Sequence, residues 1–359
     1  MDKLKKYASN TVLSNGNQFF FINADPEEKT TGLIFIKVYR GGTFNYVFAY
    51  SSILDSTFAD GKKSRCNFIC PKWTIHSLEA AVVDTCEPEK SEKSVFKKVL
   101  FGANEAVDIE NRELLFSDPV ELTAASGQYI CLKTVFSGEK IPNHEESLVP
   151  KFVFRDGKWR SSVHIPVPVF TGIEASVKKR VGFIGDSITQ GLGTEFNAYR
   201  YYSAYIADIL GDEYAYWNLG IGYARGSDAA TGGIWLKKAG YNDIVAVCFG
   251  VNDILQGHTA DEIKKDILKI VTQLKSRDCT VILQTVPPFD YDRRNTVTWN
   301  SVNAYIKTEL NTVADEIFDT VPFLSADGSS PVSKFGSHPN GEGHLVWAKA
   351  LAPVLKKYL

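Results

Sequence analysis

The chain has 359 residues, a length at which two or three domains are expected. Its 40 basic and 42 acidic side chains give a formal net charge of −2, which excludes a strong electrostatic attraction to nucleic acid or to an anionic membrane. Hydrophobic residues make up 44% and charged residues 23%, the composition of a folded globular protein. We therefore expect neither a nucleic-acid nor a membrane partner.

Two features of the sequence bear on location and metal binding. The amino-terminal segment is basic but lacks the apolar stretch of a secretory signal, and no run approaches the ~18 apolar residues of a membrane helix. The six cysteines are sparse and several lie in apolar runs, which favours reduced thiols in a cytoplasmic protein. Cys66, Cys70, His76 and Cys86 are ligand types, but their spacing fits no standard zinc finger. The sequence predicts a cytoplasmic protein without a metal site.

Up to about residue 170 the chain consists of short β-like runs separated by turn residues. The clearest runs are residues 33–38 (LIFIKV), 44–50 (FNYVFAY), 95–101 and 129–136. Short strands at regular spacing, with few helical patterns, predict an antiparallel β-sandwich. Residues 164–170 (HIPVPVF) contain two prolines, which exclude a central strand or a helix. We interpret them as the connection to a second domain and predict domains at 1–172 and 173–359.

From residue 180 onward, predicted strands and helices alternate. The strands are residues 181–184, 214–218, 244–249 and 280–284, and the helices are 199–210, 261–275, 301–317 and 344–358. Apolar strands spaced by helices predict an α/β domain with a parallel sheet covered on both faces. Ligands of such sheets bind at the carboxyl ends of the strands.

Polar motifs follow three of these strands, and a fourth precedes the last helix. They are residues 185–191 (GDSITQG), 218–222 (NLGIG), 250–253 (GVND) and 337–340 (SHPN). Each alone could be a helix cap or a turn. Together, at one edge of a parallel sheet, they supply a hydroxyl, a glycine backbone, a carboxamide and an imidazole. Acyl transfer requires this set: a nucleophile, a base and donors to an oxyanion.

These four runs resemble the blocks of the SGNH, or GDSL-type, hydrolases, an esterase superfamily with a flavodoxin-like three-layer αβα fold. The resemblance covers about residues 180–359. It implies that Ser187 is the nucleophile and His338 the base. It also implies that the Ser187 N–H, the Gly222 backbone and the Asn252 side chain bind the oxyanion. The resemblance implies no metal or organic cofactor.

The first half is similar to the amino-terminal, jelly-roll-like β-domain of some carbohydrate-esterase-like members; residues 116–120 and 128–138 carry this likeness. The resemblance therefore implies a serine esterase acting on small O-acyl groups, with acetylated carbohydrate favoured. A lysophospholipase or thioesterase would use the same site. A catalytically silent carbohydrate-binding relative is the remaining alternative. The expected partner is a small-molecule or carbohydrate ester substrate.

The chain departs from the family pattern at two positions. Tyr223 stands where a second glycine is common; its backbone N–H can still donate, and its side chain would narrow the substrate pocket. Phe335 stands three residues before the histidine, where the family usually has an aspartate. We therefore favour a Ser187–His338 dyad oriented by a backbone carbonyl near residue 335 or 336, or by a relocated acid. Asp327, in a polar loop upstream, is the candidate acid.

Two other patterns have weaker interpretations. The run Gly191-Leu192-Gly193 could begin a dinucleotide-binding loop, but the third glycine of that fingerprint is replaced by Phe196. Three tyrosines in the predicted helix 199–210 could line a carbohydrate site, although such clusters more often belong to a core. These are Tyr201, Tyr202 and Tyr205.

Overall fold

The computed structural model describes residues 2–14, 16–57, 68–145 and 148–359. These residues divide into two compact units. The described residues of 1–56 and 67–176 form the first unit, and Thr57 with residues 177–359 forms the second. The chain thus passes between the units after Ser176, while the domain limits of 1–172 and 173–359 stay a prediction from the sequence.

The first unit is built of antiparallel strands, as the sequence predicts. In chain order they are β1 (Ala8–Ser9), β2 (Asn17–Ile22), β3 (Thr30–Lys37), β4 (Gly42–Tyr50), β5 (Ile53–Leu54), β6 (Phe68–Ile69), β7 (Trp73–Val83), β8 (Lys97–Val99), β9 (Val107–Ile109), β10 (Leu115–Phe116), β11 (Val120–Ala124), β12 (Tyr129–Ser137), β13 (Lys140–Glu145), β14 (Lys151–Arg155), β15 (Lys158–Ser161) and β16 (Phe170–Ile173). A single helical turn, α1 (Pro88–Ser91), follows β7, and a 3-10 turn spans Asp2–Lys6.

Two larger sheets organise this unit. One has the order β1-β16-β4-β10, with β11 also paired to β4. The other has the order β15-β14-β3-β12-β7-β8, with β9 paired to β7. The Tyr50 ring of the first sheet packs at 6.0 Å from the Trp73 ring of the second. Successive apolar residues of β3, β7 and β12 are buried, so both faces of the larger sheet are covered there. One of these faces carries the cluster of Leu33, Phe35, Ala81, Val83 and Cys131.

The interpretation of residues 164–170 as the connection between two domains was wrong. Ile165, Val167 and Val169 are buried, and Phe170 begins β16, which pairs with β1 and β4 inside the first unit. The two prolines keep residues 166–168 out of any strand, which agrees with their missing N–H. The prolines do not restrict Phe170, and the chain joins the sheet at that residue.

The second unit alternates strands and helices. In chain order its elements are β17 (Arg180–Gly185), α2 (Ser187–Gln190), α3 (Tyr202–Leu210), β18 (Ala215–Asn218), α4 (Gly226–Ala230), α5 (Ile234–Ala239), β19 (Ile244–Cys248), α6 (Val251–Leu255), α7 (Ala260–Lys275), β20 (Thr280–Gln284), α8 (Arg293–Thr308), a 3-10 turn at Leu310–Thr312, β21 (Glu316–Phe318), α9 (Val321–Leu324) and α10 (Gly341–Lys356).

The five strands of this unit form a parallel sheet in the order β18-β17-β19-β20-β21. Numbered along the chain this order is 2-1-3-4-5, the flavodoxin-like arrangement. The helices contact one another in two groups: α10 contacts α3 and α9, and α7 contacts α4, α5 and α8, as in a three-layer αβα fold. The order reverses between β17 and β19. Sheets of this kind bind ligands beyond the carboxyl ends of the strands at such a reversal.

Two helix predictions differ from the structure. The predicted helix 301–317 is α8, which ends at Thr308, and Glu316–Phe318 is the edge strand β21. This strand has three residues, too few to show an alternating pattern, and it is held by pairing with β20. The predicted helix 199–210 begins only at Tyr202, because Tyr199 has a φ of +55° that no α-helix accommodates.

The structure bears on membrane and metal binding only where it describes the chain. None of the described helices is both long and apolar enough to span a bilayer. The described residues contain no group of three or more His, Cys, Asp and Glu side chains placed to bind a metal ion. Cys66, from the zinc pattern considered above, lies outside them. The cytoplasmic location stays a prediction.

Candidate active site

Ser187 lies where β17 gives way to the one-turn helix α2. Asp186 caps that helix, its carboxylate accepting a hydrogen bond from the Ile188 N–H at 2.9 Å. As the first residue of the helix, Ser187 has an N–H with no partner inside it. The side chain is 8% exposed. The sheet thus presents a hydroxyl and a backbone donor from one residue, at the reversal of strand order.

The structure brings His338 to Ser187. His338 Nε2 lies 2.8 Å from Ser187 Oγ, although the two residues are 151 positions apart. Burial lowers the pKa of His338 below its usual value of 6.5, so the neutral imidazole that can accept a proton predominates at neutral pH. The edge of the Phe289 ring packs against the imidazole, with 5.3 Å between ring centroids. This geometry is that of a nucleophile and its base.

The loop that carries His338 is held by Asp290. Its two carboxylate oxygens accept hydrogen bonds from the Ser333 N–H at 2.8 Å and the Ser337 hydroxyl at 3.3 Å. Asp290 and Phe289 follow β20, a strand whose end shows no recognisable motif, and sequence reasoning missed both. The one available signal was their position just beyond a strand end, where binding residues of parallel sheets concentrate.

Asn252 comes from the third strand end. It lies in α6 directly after β19, and its Nδ2 donates to the Ala224 carbonyl at 3.0 Å. Gly250, which precedes the helix, has a φ of +123°, a conformation that favours glycine. The side-chain amide therefore faces the loop that follows β18, which brings two of the predicted motifs together.

Asn218 ties that loop to the nucleophile helix. Its Oδ1 accepts from the Gly220 N–H at 2.8 Å, and its Nδ2 donates to the Thr189 carbonyl at 2.9 Å. A Cβ on Gly220 would lie 2.1 Å from the Gln190 nitrogen, so only glycine allows this close approach. These contacts explain why asparagine and glycine are spaced as they are in the second motif.

Gly222 and Tyr223 form the tip of the same loop. Tyr223 has a φ of +61°, in the left-handed region that favours glycine, and its side chain is 51% exposed. The position where the family pattern has glycine therefore keeps a backbone conformation typical of glycine, although it carries tyrosine. Both residues lie beside the Asn252 contact at Ala224.

Two buried carboxyl groups lie beneath the site. Both oxygens of Asp253 accept from the Gly226 N–H, at 2.9 and 3.1 Å, which holds the start of α4. Burial raises the pKa of Asp253, and burial together with the nearby Asp253 charge raises the pKa of Asp186 to about 7. The sequence motif indicated no more than a turn at Asp253; the structure shows it anchoring the loop next to Asn252.

The structure does not bring Asp327 to His338. Its Oδ1 accepts from the Ser325 hydroxyl at 3.0 Å and from the Ser329 and Ser330 N–H groups at 2.8 and 2.7 Å, all within its own loop. These hydrogen bonds hold the pKa of that carboxyl well below its usual range. No carboxylate among the described residues forms an ion pair with His338. The predicted relocation of the acid to Asp327 is therefore not what the structure shows.

Phe335 and its neighbour occupy the place of the missing acid. The Phe335 Cβ lies 2.7 Å from where a Cβ on Gly343 would be, so the side chain packs on the first turn of α10. The Phe335 carbonyl accepts from the Asn340 N–H at 3.2 Å, and the Gly336 carbonyl accepts from the Ser333 hydroxyl. Both candidate carbonyls thus already have one donor.

The three tyrosines of α3 and its cap lie in two different environments. Tyr201 and Tyr202 are buried, and the Tyr202 ring stacks on Trp347 with 4.5 Å between centroids, so both belong to the core. Tyr205 instead lines a cavity of about 460 Å³, whose other lining residues are mostly polar. These are Gly193, Glu195, Arg200, Asn340, Gly341, Glu342 and Leu345. A Cβ on Gly193 would lie 2.8 Å from the His338 Cβ, which places this cavity next to the histidine loop.

Residues 183–346 match the model of the GDSL-like Lipase/Acylhydrolase family. The sequence matches none of the curated proteins. Among solved structures, a member of the lipolytic protein G-D-S-L family from Veillonella parvula DSM 2008 is 19% identical, over 50% of this chain and 98% of that one, with a TM-score of 0.41. The psychrotrophic esterase EstA from Pseudoalteromonas sp. is 14% identical, over 50% and 97%, with a TM-score of 0.39. The acetyl xylan esterase AlAXEase is 21% identical, over 49% and 99%, with a TM-score of 0.39.

Proposed function

We propose that this protein cleaves small O-acyl esters through an acyl-enzyme on Ser187. The premise is that residues 183–346 are a GDSL-like lipase/acylhydrolase domain and thus belong to a family of serine ester hydrolases. The observation that carries the proposal is the 2.8 Å separation between Ser187 Oγ and His338 Nε2. A hydroxyl becomes an effective nucleophile when a neutral imidazole accepts its proton during attack. Burial of His338 favours that neutral form.

In the proposed reaction His338 transfers protons while three donors bind the oxyanion. Ser187 Oγ attacks the ester carbonyl while His338 Nε2 takes the hydroxyl proton. The oxyanion accepts hydrogen bonds from the Ser187 N–H, the Asn252 Nδ2 group and a peptide N–H at Gly222–Tyr223. Collapse expels the alcohol, which takes its proton from His338. A water molecule then gives one proton to His338 as its oxygen attacks the acyl carbon. The bond to Ser187 Oγ breaks, the carboxylic acid leaves, and His338 returns the proton to Ser187 Oγ, which restores both residues.

The missing carboxylate limits the expected rate. In a triad the acid orients the imidazole and stabilises its charged form, and replacing that acid by an amide in a serine protease costs ~10⁴ in turnover. Here Asp290 holds the histidine loop through Ser333 and Ser337, which contributes orientation without pairing with the imidazolium. We therefore expect turnover below that of an enzyme with a complete triad.

Acetyl esters of carbohydrates are the substrates we favour. The cavity beside the histidine loop carries Glu195, Arg200 and Tyr205, which supply the charged and aromatic groups that polyhydroxy ligands use. Tyr223 stands where the family commonly has glycine, and a side chain at that position would reduce the space for a long acyl chain. Both observations support a short acyl group on a polar alcohol.

Chain-length profiling with active-site labelling tests this function. The purified protein should cleave p-nitrophenyl acetate faster than the octanoate and should release acetate from acetylated xylan. A fluorophosphonate should label it, and Ser187→Ala should abolish labelling and lower turnover by at least ~10³-fold. Ser276→Ala, which removes an exposed hydroxyl at the end of α7, is the matched control and should change neither.

Each other outcome selects an alternative. Preference for octanoate would indicate a lysophospholipase or thioesterase. Folded protein that is neither labelled nor active on any ester, yet binds carbohydrate, would indicate the catalytically silent relative. Labelling and turnover that survive Ser187→Ala would remove Ser187 from the nucleophile role.

A further inference from the structure

We infer that Thr57 is a positioning residue for the peptide that binds the oxyanion, because its hydroxyl holds the Gly222 carbonyl and so sets the direction of the Tyr223 N–H. The inference rests on the proposed function and names a residue outside every motif of the site. Thr57 precedes Gly222 by 165 positions, yet its Oγ1 donates to the Gly222 carbonyl at 2.5 Å. It is 5% exposed and belongs to the second unit.

The first step is the geometry of the peptide bond. No peptide bond among the described residues is cis. In a trans peptide the carbonyl of one residue and the N–H of the next point in opposite directions. A hydrogen bond that holds the Gly222 carbonyl on the Thr57 side therefore directs the Tyr223 N–H to the other side.

The second step is the conformation of Tyr223. Its φ of +61° is unfavourable for a residue with a Cβ. Rotating the peptide between Gly222 and Tyr223 changes φ of Tyr223 and would bring it to a negative value. The same rotation would reverse the N–H. Relief of backbone strain thus favours the orientation in which this N–H no longer points to its present side.

The third step is how the loop is held. Asn252 binds Ala224, and Asp253 binds Gly226, so both act on residues that follow Tyr223. Thr57 acts on the strained peptide itself. A glycine at position 223 would carry no such strain, so this contact matters more here than it would beside glycine. We interpret Thr57 as the compensation for tyrosine at that position.

The test compares Thr57→Val with Thr57→Ser. Valine keeps the shape and removes the donor, and we expect kcat for p-nitrophenyl acetate to fall by about 10–100-fold with KM nearly unchanged, since loss of a full oxyanion donor typically costs ~10²–10³. Serine keeps the donor and should stay within about threefold of wild type. Thr308→Val removes a hydroxyl that donates to the Ala304 carbonyl in α8 and should change neither constant.

A second background separates positioning from a general structural role. In Tyr223→Gly protein the strain is absent, so Thr57→Val should lower kcat by less than threefold. An equal loss of kcat in both backgrounds, or unchanged kcat in the single Thr57→Val variant, would overturn the inference. If Thr57→Val does not fold, Thr57→Ala replaces it in both backgrounds. Wild-type protein that neither reacts with fluorophosphonate nor cleaves any ester would instead overturn the proposed function.

Discussion

No carboxylate among the described residues pairs with the imidazole of His338, the proposed base. Burial lowers its pKa, and Phe289 rather than an acid lies against its ring. The neutral base therefore predominates at neutral pH, whereas no described carboxylate offsets the charge of the imidazolium formed during attack. In the proposed dyad the neutral imidazole can accept the proton of Ser187, but the imidazolium that results is poorly stabilised.

Replacing Phe335 by aspartate should supply the missing charge. A carboxylate near an imidazole favours the charged form, so the acid limb of kcat/KM, which we expect below pH 6.5 in the wild type, should move up by about one pH unit. Turnover at pH 8 should rise because the imidazolium is stabilised in the transition state. The measurement is a pH profile of p-nitrophenyl acetate hydrolysis, with Phe335→Asn as the uncharged control. A large loss of activity in a folded Phe335→Asp protein would show that another group already serves His338.

The residues of the site differ in how far the sequence reveals them. The sequence predicts three of them, Ser187, Asn252 and His338. Each lies in a short polar motif that follows a strand or precedes a helix. Thr57 and Asp290 have no such run around them. Thr57 contacts Gly222 through one hydrogen bond and Asp290 contacts Ser333 and Ser337 through two, all between residues remote in the chain, and only the folded chain brings them together.

Among the elements, α10 bears most directly on the site, because His338 lies two residues before its cap. Asn340 Oδ1 accepts from the N–H groups of Glu342 and Gly343 at 3.1 and 3.0 Å. The same kind of cap begins α7, where Thr259 and Glu262 form a reciprocal capping box. Side-chain caps typically contribute ~1 kcal/mol each, and of these two only the α10 cap adjoins the proposed base in the chain.

Removing these two caps should separate stability from function. Asn340→Ala and Thr259→Ala should each lower the free energy of unfolding by ~1 kcal/mol, measured by urea denaturation. Only Asn340→Ala should also lower kcat, several-fold, because fraying of the first turn of α10 releases the histidine loop. Equal kcat in the two variants would show that Asp290 alone suffices to hold that loop.

At the scale of elements, the sequence predicts those helices whose apolar residues recur at helical spacing. Helix α7 buries Ile263, Ile267, Ile270, Val271 and Leu274 on one face, as its spacing predicts. Strand β21 was not predicted, because its three residues follow a helix and the apolar spacing of that helix continues into them. The strand order β18-β17-β19-β20-β21 of the parallel sheet depends on contacts between remote segments and has no local signature.

At the scale of the whole molecule, two buried ionisable groups make the stability of the fold depend on pH in opposite directions. Asp186, in the second unit, has a pKa raised from 3.8 to about 7 by burial. Lys151, in the first unit, donates to the His144 carbonyl and has a pKa lowered from 10.5 to about 7 by burial. The folded state thus binds more protons than the unfolded state at Asp186 between pH 4 and 7. It binds fewer at Lys151 between pH 7 and 10.5.

Stability should therefore change in opposite directions on the two sides of neutrality. By linkage, the Asp186 contribution falls as pH rises from about 4 to about 7, and the Lys151 contribution rises from about 7 to about 10.5. Asp186→Asn, which keeps a capping side chain, should remove the first slope, and Lys151→Met should remove the second. The measurement is the melting temperature of the full chain against pH, taken as the difference between wild type and each variant. A flat difference curve for Asp186→Asn below pH 7 would mean that this carboxyl is ionised in the folded protein, which would place a compensating positive charge or donor beside the proposed nucleophile.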